Sequence, residues 1–96
     1  MKIEFDHDKS EKNAQSGGPP FSLVASFEFD SAWIVEADRH AYGEGRYRAI
    51  GRLKGELAVV VFTIHSEAVH VISLRFASRK ERRDYERQDQ SEKDEG

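Results

Sequence analysis

The chain contains no cysteine, so disulfides, thiolate metal sites and a cysteine nucleophile are all excluded. That composition suits a reducing compartment, and a cytoplasmic location is expected. Long hydrophobic runs are missing as well: Leu57 to Phe62, the longest, is far too short to cross a bilayer. The opening MKIEFDHDKSEK holds no apolar stretch of signal-peptide length, so an unexported protein without a membrane partner is expected. There is no phosphate-binding glycine loop of the P-loop or dinucleotide type, and no serine sits in a nucleophile elbow. His7, His40, His65 and His70 are scattered without the spacing of a zinc helix motif, so neither metal nor cofactor is expected. No internal repeat appears, and 96 residues fit a single domain. A chain of this size buries only ~60–65% of its unfolded surface, so its margin of stability is thin.

What the chain does have is charge, unevenly placed. Residues 1–37 carry seven acidic and three basic groups, residues 38–83 five and ten, and residues 84–96 six and two, giving the net −3. Eight of the ten basic groups in the middle segment are arginines, whose planar donor fork matches a phosphate. An anionic partner is therefore expected there. A solvated charged surface is the plainer account of the same run.

The elements follow from pattern. Residues 2–5 alternate as a short edge strand. Asp6 or Asp8 can cap a helix reaching about Ser16, although Ala14 is its only apolar residue. Gly17-Gly18-Pro19-Pro20 is a stiff turn, and a second helix is expected over about 20–28. Strands are expected at Ala32 to Glu36, Arg46 to Leu53, Leu57 to Ile64 and Val69 to Phe76. Lys54-Gly55 makes the middle two a hairpin. In the last strand, alternation groups Ile72, Leu74 and Phe76 on one side and Val69, Val71, Ser73 and Arg75 on the other. Ser78-Arg79-Lys80-Glu81 has the form of a capping box, opening a helix to about Glu86 or Arg87. The expected order is β-α-α-β-β-β-β-α, an α+β domain over residues 1–87 with a mainly antiparallel sheet. Residues 88–96 form an acidic tail expected to be disordered.

Strand parity and charge together suggest a site. Arg46, Arg48 and Arg52 share one face of their strand, Ser73 and Arg75 one face of another, and Arg79 and Lys80 open the last helix. If those faces coincide they grip several phosphates, giving affinity that falls with salt. Tyr42, Tyr47 and Phe76 are candidates for stacking on unpaired bases, with core packing as the alternative for each. His40 and Glu44 are the proton-transfer candidates inside the basic segment. RNA needs little else, because its own 2′-hydroxyl can attack the adjacent phosphorus while arginines stabilise the developing charge. A metal-free ribonuclease is thus permitted by composition.

Three segments carry a resemblance. Asp38 to Arg52, DRHAYGEGRYRAIGR, is similar to the central signature of the BrnT toxins. Val71 to Glu86, VISLRFASRKERRDYE, resembles the closing signature, in which an I-S-x-R-x-A strand end leads into an E-R-x-x-Y helix. Phe5 to Asn13, FDHDKSEKN, is similar to the F-x-W-D-x-x-K-x-x-x-N start. The resemblance covers about residues 1–87. It implies a RelE-like fold, with two N-terminal helices, a small sheet and a C-terminal helix. It also implies an RNA-cleaving toxin of a type II toxin–antitoxin system, neutralised by a BrnA-like antitoxin. Operator DNA would be met only through that antitoxin. The basic signature falls on Arg46, Arg75 and Arg79, the acidic position on Glu44, and the helix glutamate on Glu81, for which capping is the favoured job. Arg48, Arg52, Lys80, Tyr42 and Tyr47 are the expected RNA contacts. The chain departs from the pattern where the family has Lys-His-Gly, since Ser16, Gly17 and Gly18 stand there, and it places Glu28 at a usually apolar position. A catalytically weak relative that chiefly binds its antitoxin or nucleic acid is the alternative expectation.

Overall fold

The computed structural model describes residues 2–36 and 45–95, with side chains as far as Gln88. It is an α+β arrangement. β1 (Lys2–Phe5), α1 (His7–Gln15), two short 3-10 helices (Phe21–Ser26 and Phe29–Ser31), β2 (Trp33–Glu36), β3 (Arg46–Leu53), β4 (Glu56–His65), β5 (Ala68–Phe76) and α2 (Arg79–Glu95) follow in order. The strands form one sheet in the order β1-β5-β4-β3-β2. Only β1 and β5 run parallel; the other three pairings are antiparallel.

Both hairpins turn through left-handed backbone. Lys54 and Gly55 have φ of 49° and 89°, the geometry that matches the twist of paired strands. Ser66 and Glu67, at 49° and 67°, adopt the same sign between β4 and β5 without a glycine. β4 is covered on both faces, which explains its nearly unbroken apolar sequence. On one side Phe21, Val24 and Phe27 pack over Ala49, Val60, Phe62 and Leu74. On the other, Tyr85 and Ala77 pack over Ile50, Leu57 and Val59.

The expected second helix is shorter and tighter than an α-helix. Phe21, Val24 and Phe27 recur every third residue, the spacing that a 3-10 helix aligns on one line. Phe27 is already extended and bridges Leu53, so the helix stops at Ser26. The connection then crosses β3 at Gly51, where an added Cβ would stand 2.9 Å from both Ala32 Cβ and Phe27 Cζ. Glu28 is exposed in this connection, and its N–H donates to Arg52 O at 3.0 Å.

α1 is held by polar side chains. Ala14 is exposed, and the one buried side chain of the helix is Ser10, whose Oγ accepts from Phe21 N at 2.8 Å. Asp6 is its N-cap, accepting from Asp8 N and Lys9 N. α2 runs through Glu95, past the expected end near Glu86 or Arg87. Its sequence beyond Tyr85 has no glycine or proline before Gly96 to stop it.

Candidate nucleic-acid interface

Alternation along β3 sends Arg46, Arg48 and Arg52 to the same face as Ile50. The register carries that face across the sheet. Arg48 lies opposite Val61, and Val61 opposite Ser73; Ile50 lies opposite Val59, and Val59 opposite Arg75. Arg46 lies opposite Thr63, and Thr63 opposite His70. The two arginine-bearing strands thus present their charges on one face, separated by the width of two strand spacings, about 10 Å.

α2 divides this face. Ile50, between Arg48 and Arg52, is 2% exposed and packs with Val59, Trp33 and Tyr85 beneath the helix. Tyr85 Oη donates to Ser31 O at 3.1 Å, which draws the helix toward the β2 side. Arg48 and Arg52 are exposed on either side of buried Ile50 along the strand, and Arg46 is half-buried. A single cleft over all three arginines, as alternation alone suggests, is interrupted by the helix.

A β-bulge decides which β5 side chains join them. The register slips between Val61 and Phe62, leaving Ile72 as the extra residue on β5. Val69 and Val71 consequently turn into the core with Leu74, instead of sharing a face with Ser73 and Arg75 as unbroken alternation requires. His70, exposed, falls on the arginine face. The signal was present in the sequence, because apolar positions switch from odd (69, 71) to even (72, 74, 76) within the strand.

Arg75 is clasped. Its Nη1 and Nη2 donate to Glu81 Oε1 and Oε2 at 2.7 and 2.8 Å. Glu81 Oε1 also accepts from Ser78 N at 2.9 Å, while Ser78 Oγ accepts from Glu81 N at 3.2 Å. The capping box is thus formed, and one carboxylate both caps α2 and orients the arginine. The Arg75 side chain remains 51% exposed, against 13% for Glu81, so the guanidinium keeps an open side. The Arg75 bonds, seconded by Ser78 N–H against the opposing effect of burial, lower the Glu81 pKa to about 2. The same bonds raise that of Arg75.

The sign of the resulting pH dependence follows. The folded value lies below the unfolded one, so the stabilisation is complete above about pH 5 and disappears as pH falls toward 2. With half of Arg75 in water, the contribution is on the order of 1 kcal/mol. Urea midpoints measured from pH 7 to pH 2.5 should fall less steeply for Glu81→Gln than for the wild type. Parallel curves would show that this pair does not carry the acid sensitivity.

The remaining expected site residues are distributed as follows. Arg79 and Lys80 are exposed at the start of α2, followed by Arg82, whose Nε–H donates to Ala77 O at 3.4 Å, and exposed Arg83. Tyr47 points to the opposite face, stacked on Phe62 with centroids 5.6 Å apart, and so stands away from the arginines. Phe76 is 43% exposed, on the same side as Leu74, beside Leu23 and Leu53. His40, Tyr42 and Glu44 lie outside the described residues. Ser16 is the C-cap of α1 and Gly17 follows with φ of 92°, so the positions where the resemblance leads one to expect Lys-His form a turn here.

A family model described as the ribonuclease toxin BrnT of type II toxin–antitoxin systems matches residues 5–81, from the end of β1 through the Arg75–Glu81 clasp. Searches of curated proteins and of solved structures return no match.

Proposed function

Because this chain belongs to the BrnT family of ribonuclease toxins, we propose that it cleaves RNA by a metal-independent internal transfer and that a BrnA-like antitoxin neutralises it. The family is the reason to read the sheet as RelE-like. Among the described residues no helix is long and apolar enough to cross a membrane. The observation that carries the reading is the shared face of Arg46, Arg48, Ser73 and Arg75, with exposed Arg79 and Lys80 following in the first turn of α2. Arginines there would hold the phosphate and offset the charge that develops on its oxygens. The ribose 2′-oxygen forms a bond to phosphorus as the bond to the 5′-oxygen breaks. A base accepts the 2′-hydroxyl proton and an acid supplies one to the leaving 5′-oxygen, giving a 2′,3′-cyclic phosphate and a 5′-hydroxyl. His40 and Glu44 are candidates for these transfers by position in the family signature. His70 joins them by its place on the arginine face.

The test is incubation of antitoxin-free protein with a defined single-stranded RNA in excess EDTA, followed by mapping of the fragment ends. Cyclic-phosphate ends are expected, with cleavage falling steeply as salt is raised. Intact RNA beside demonstrably folded protein would sink this reading. It would leave the alternative, a binding module that chiefly engages its antitoxin, which the Ser16-Gly17 turn in place of Lys-His favours.

A further inference from the structure

The opposite face of the sheet carries a feature that RNA cleavage does not use. A groove of about 360 Å³ opens there, lined entirely by apolar side chains, among them Ile3, Ala25, Phe29, Ile34 and Ile64. Ile34 and Ile64 are 44% and 47% exposed, the most exposed large hydrophobic side chains among the described residues. A chain with so little apolar surface to spare keeps such a patch in water at a cost to its own stability, which points to a partner.

The charges beside the groove describe that partner. Glu28 and Asp30 bracket Phe29, and Glu36 lies two residues beyond Ile34 on the same face of β2; all three are exposed. Glu67, in the turn between Ile64 and Val69, is another exposed carboxylate. Among the described residues no lysine or arginine lines the groove, and Lys2, beside Ile3 in β1, points to the other face and lies 4.0 Å from Glu4. This rim repels nucleic acid, so the two faces of the sheet have opposite tastes. One is apolar and acid-edged, the other rich in arginine.

We propose that the groove is the docking site of the antitoxin, through an amphipathic helical segment. Aliphatic side chains spaced i, i+3 or i+4, and i+7 would fill it, and lysine or arginine on its flanks would meet Glu28, Asp30 and Glu36. This rests on the toxin–antitoxin reading and deepens it. The antitoxin would hold the toxin by the face away from the arginines, and inhibition would come from the rest of the partner reaching round α2 or from occlusion at the sheet edge.

The experiment uses the full chain and the product of the reading frame adjoining its own gene, with binding measured by titration calorimetry. Ile34→Lys/Ile64→Lys, chosen at exposed positions and checked by thermal melting, is expected to weaken binding by at least about 30-fold, the loss typical of a central anchor. Glu28→Lys/Asp30→Lys is expected to weaken it less, about 10-fold, and mainly at low salt. Both variants should cleave RNA like the wild type while escaping inhibition. Unchanged binding in the first variant would overturn the proposal. So would an Arg48→Glu variant that loses the partner instead, or a wild-type dimer that Ile64→Lys converts to monomer without touching antitoxin affinity. Groove-dependent binding by a wild-type chain that cleaves nothing would uphold this docking site and defeat the ribonuclease reading. An adjoining product that does not bind at all would defeat the docking proposal alone if RNA is still cleaved.

Discussion

Replacing Arg75 by alanine is expected to lower RNA cleavage by about 10²–10³-fold, the usual effect of removing one preorganised donor to developing charge. The geometry supports so large an effect. Glu81 fixes the guanidinium through two bonds, yet half of the side chain faces solvent on the side of Ser73 and Arg48. A donor held in place loses little freedom when it meets a phosphate. Stability should change far less, because Glu81 keeps its bond from Ser78 N and becomes a partly exposed carboxylate. A loss of roughly 1 kcal/mol corresponds to about 4–8 °C in the melting temperature. Arg75→Lys keeps the charge but not the fork, and should recover only a small part of the activity. Glu81→Gln separates orientation from capping, since glutamine also serves in a capping box. It should leave α2 in place and reduce cleavage by releasing the arginine. Wild-type cleavage in Arg75→Ala, measured as initial rate on the same RNA, would remove this residue from the mechanism.

Asn13→Ala is expected to be the most damaging single change to stability outside the apolar core. Asn13 Nδ2 donates to Pro19 O at 2.6 Å and to Leu74 O at 2.8 Å, so one amide ties α1 to the following turn and to β5. Leu74 and Pro19 are themselves buried, and alanine would strand both carbonyls. The cost is at least about 2 kcal/mol, at about 1–3 kcal/mol for each of the two unsatisfied groups. That is at least about 8–16 °C of melting temperature in a domain of this size. Asn13→Asp should be no better than alanine, because a carboxylate cannot donate to either carbonyl. The neighbouring glycine belongs to the same arrangement: a Cβ on Gly18 would stand 2.8 Å from Asn13 Nδ2. A melting temperature within 2 °C of wild type would show that α1 is held by something other than this amide.

α1 shows why parts of the fold were hard to see in the sequence. Hydrophobic periodicity is the main helix signal, and this helix has almost none, because it is anchored through Ser10 and Asn13. Its motif resemblance was legible, but the bonds that give the motif meaning were not. Features governed by local chemistry were plain: the Lys54-Gly55 hairpin, the Ser78–Glu81 capping box and the buried run of β4. Features set by contacts between distant segments were not. The 3-10 form of Phe21–Ser26 depends on Phe27 reaching Leu53, and the bulge at Ile72, whose trace in the sequence is the switch of apolar positions from odd to even, is placed only by pairing with β4. That bulge carried the consequence for the site, since it decides whether His70 faces the core or the arginines. The arginines were identifiable by parity along β3, whereas the clasp on Arg75 required knowing that α2 folds back over β5. Tyr85, the tyrosine of the closing signature, is 6% exposed and bonded to Ser31 O, so its job is to anchor the helix.

The parallel pairing of β1 with β5 has a consequence for how the protein is made. Lys2 is synthesised well before its partner Ala68, with α1, both 3-10 helices and three strands lying between them. Until then the first strand has nothing to pair with, β4 is an open edge, and the helix that covers Ile50 does not yet exist. Contacts so distant in sequence form late and together. A chain stalled before α2 is therefore expected to be inert and quickly degraded rather than partly toxic, and the arginine face is assembled only once β5 and α2 have followed β3 and β4.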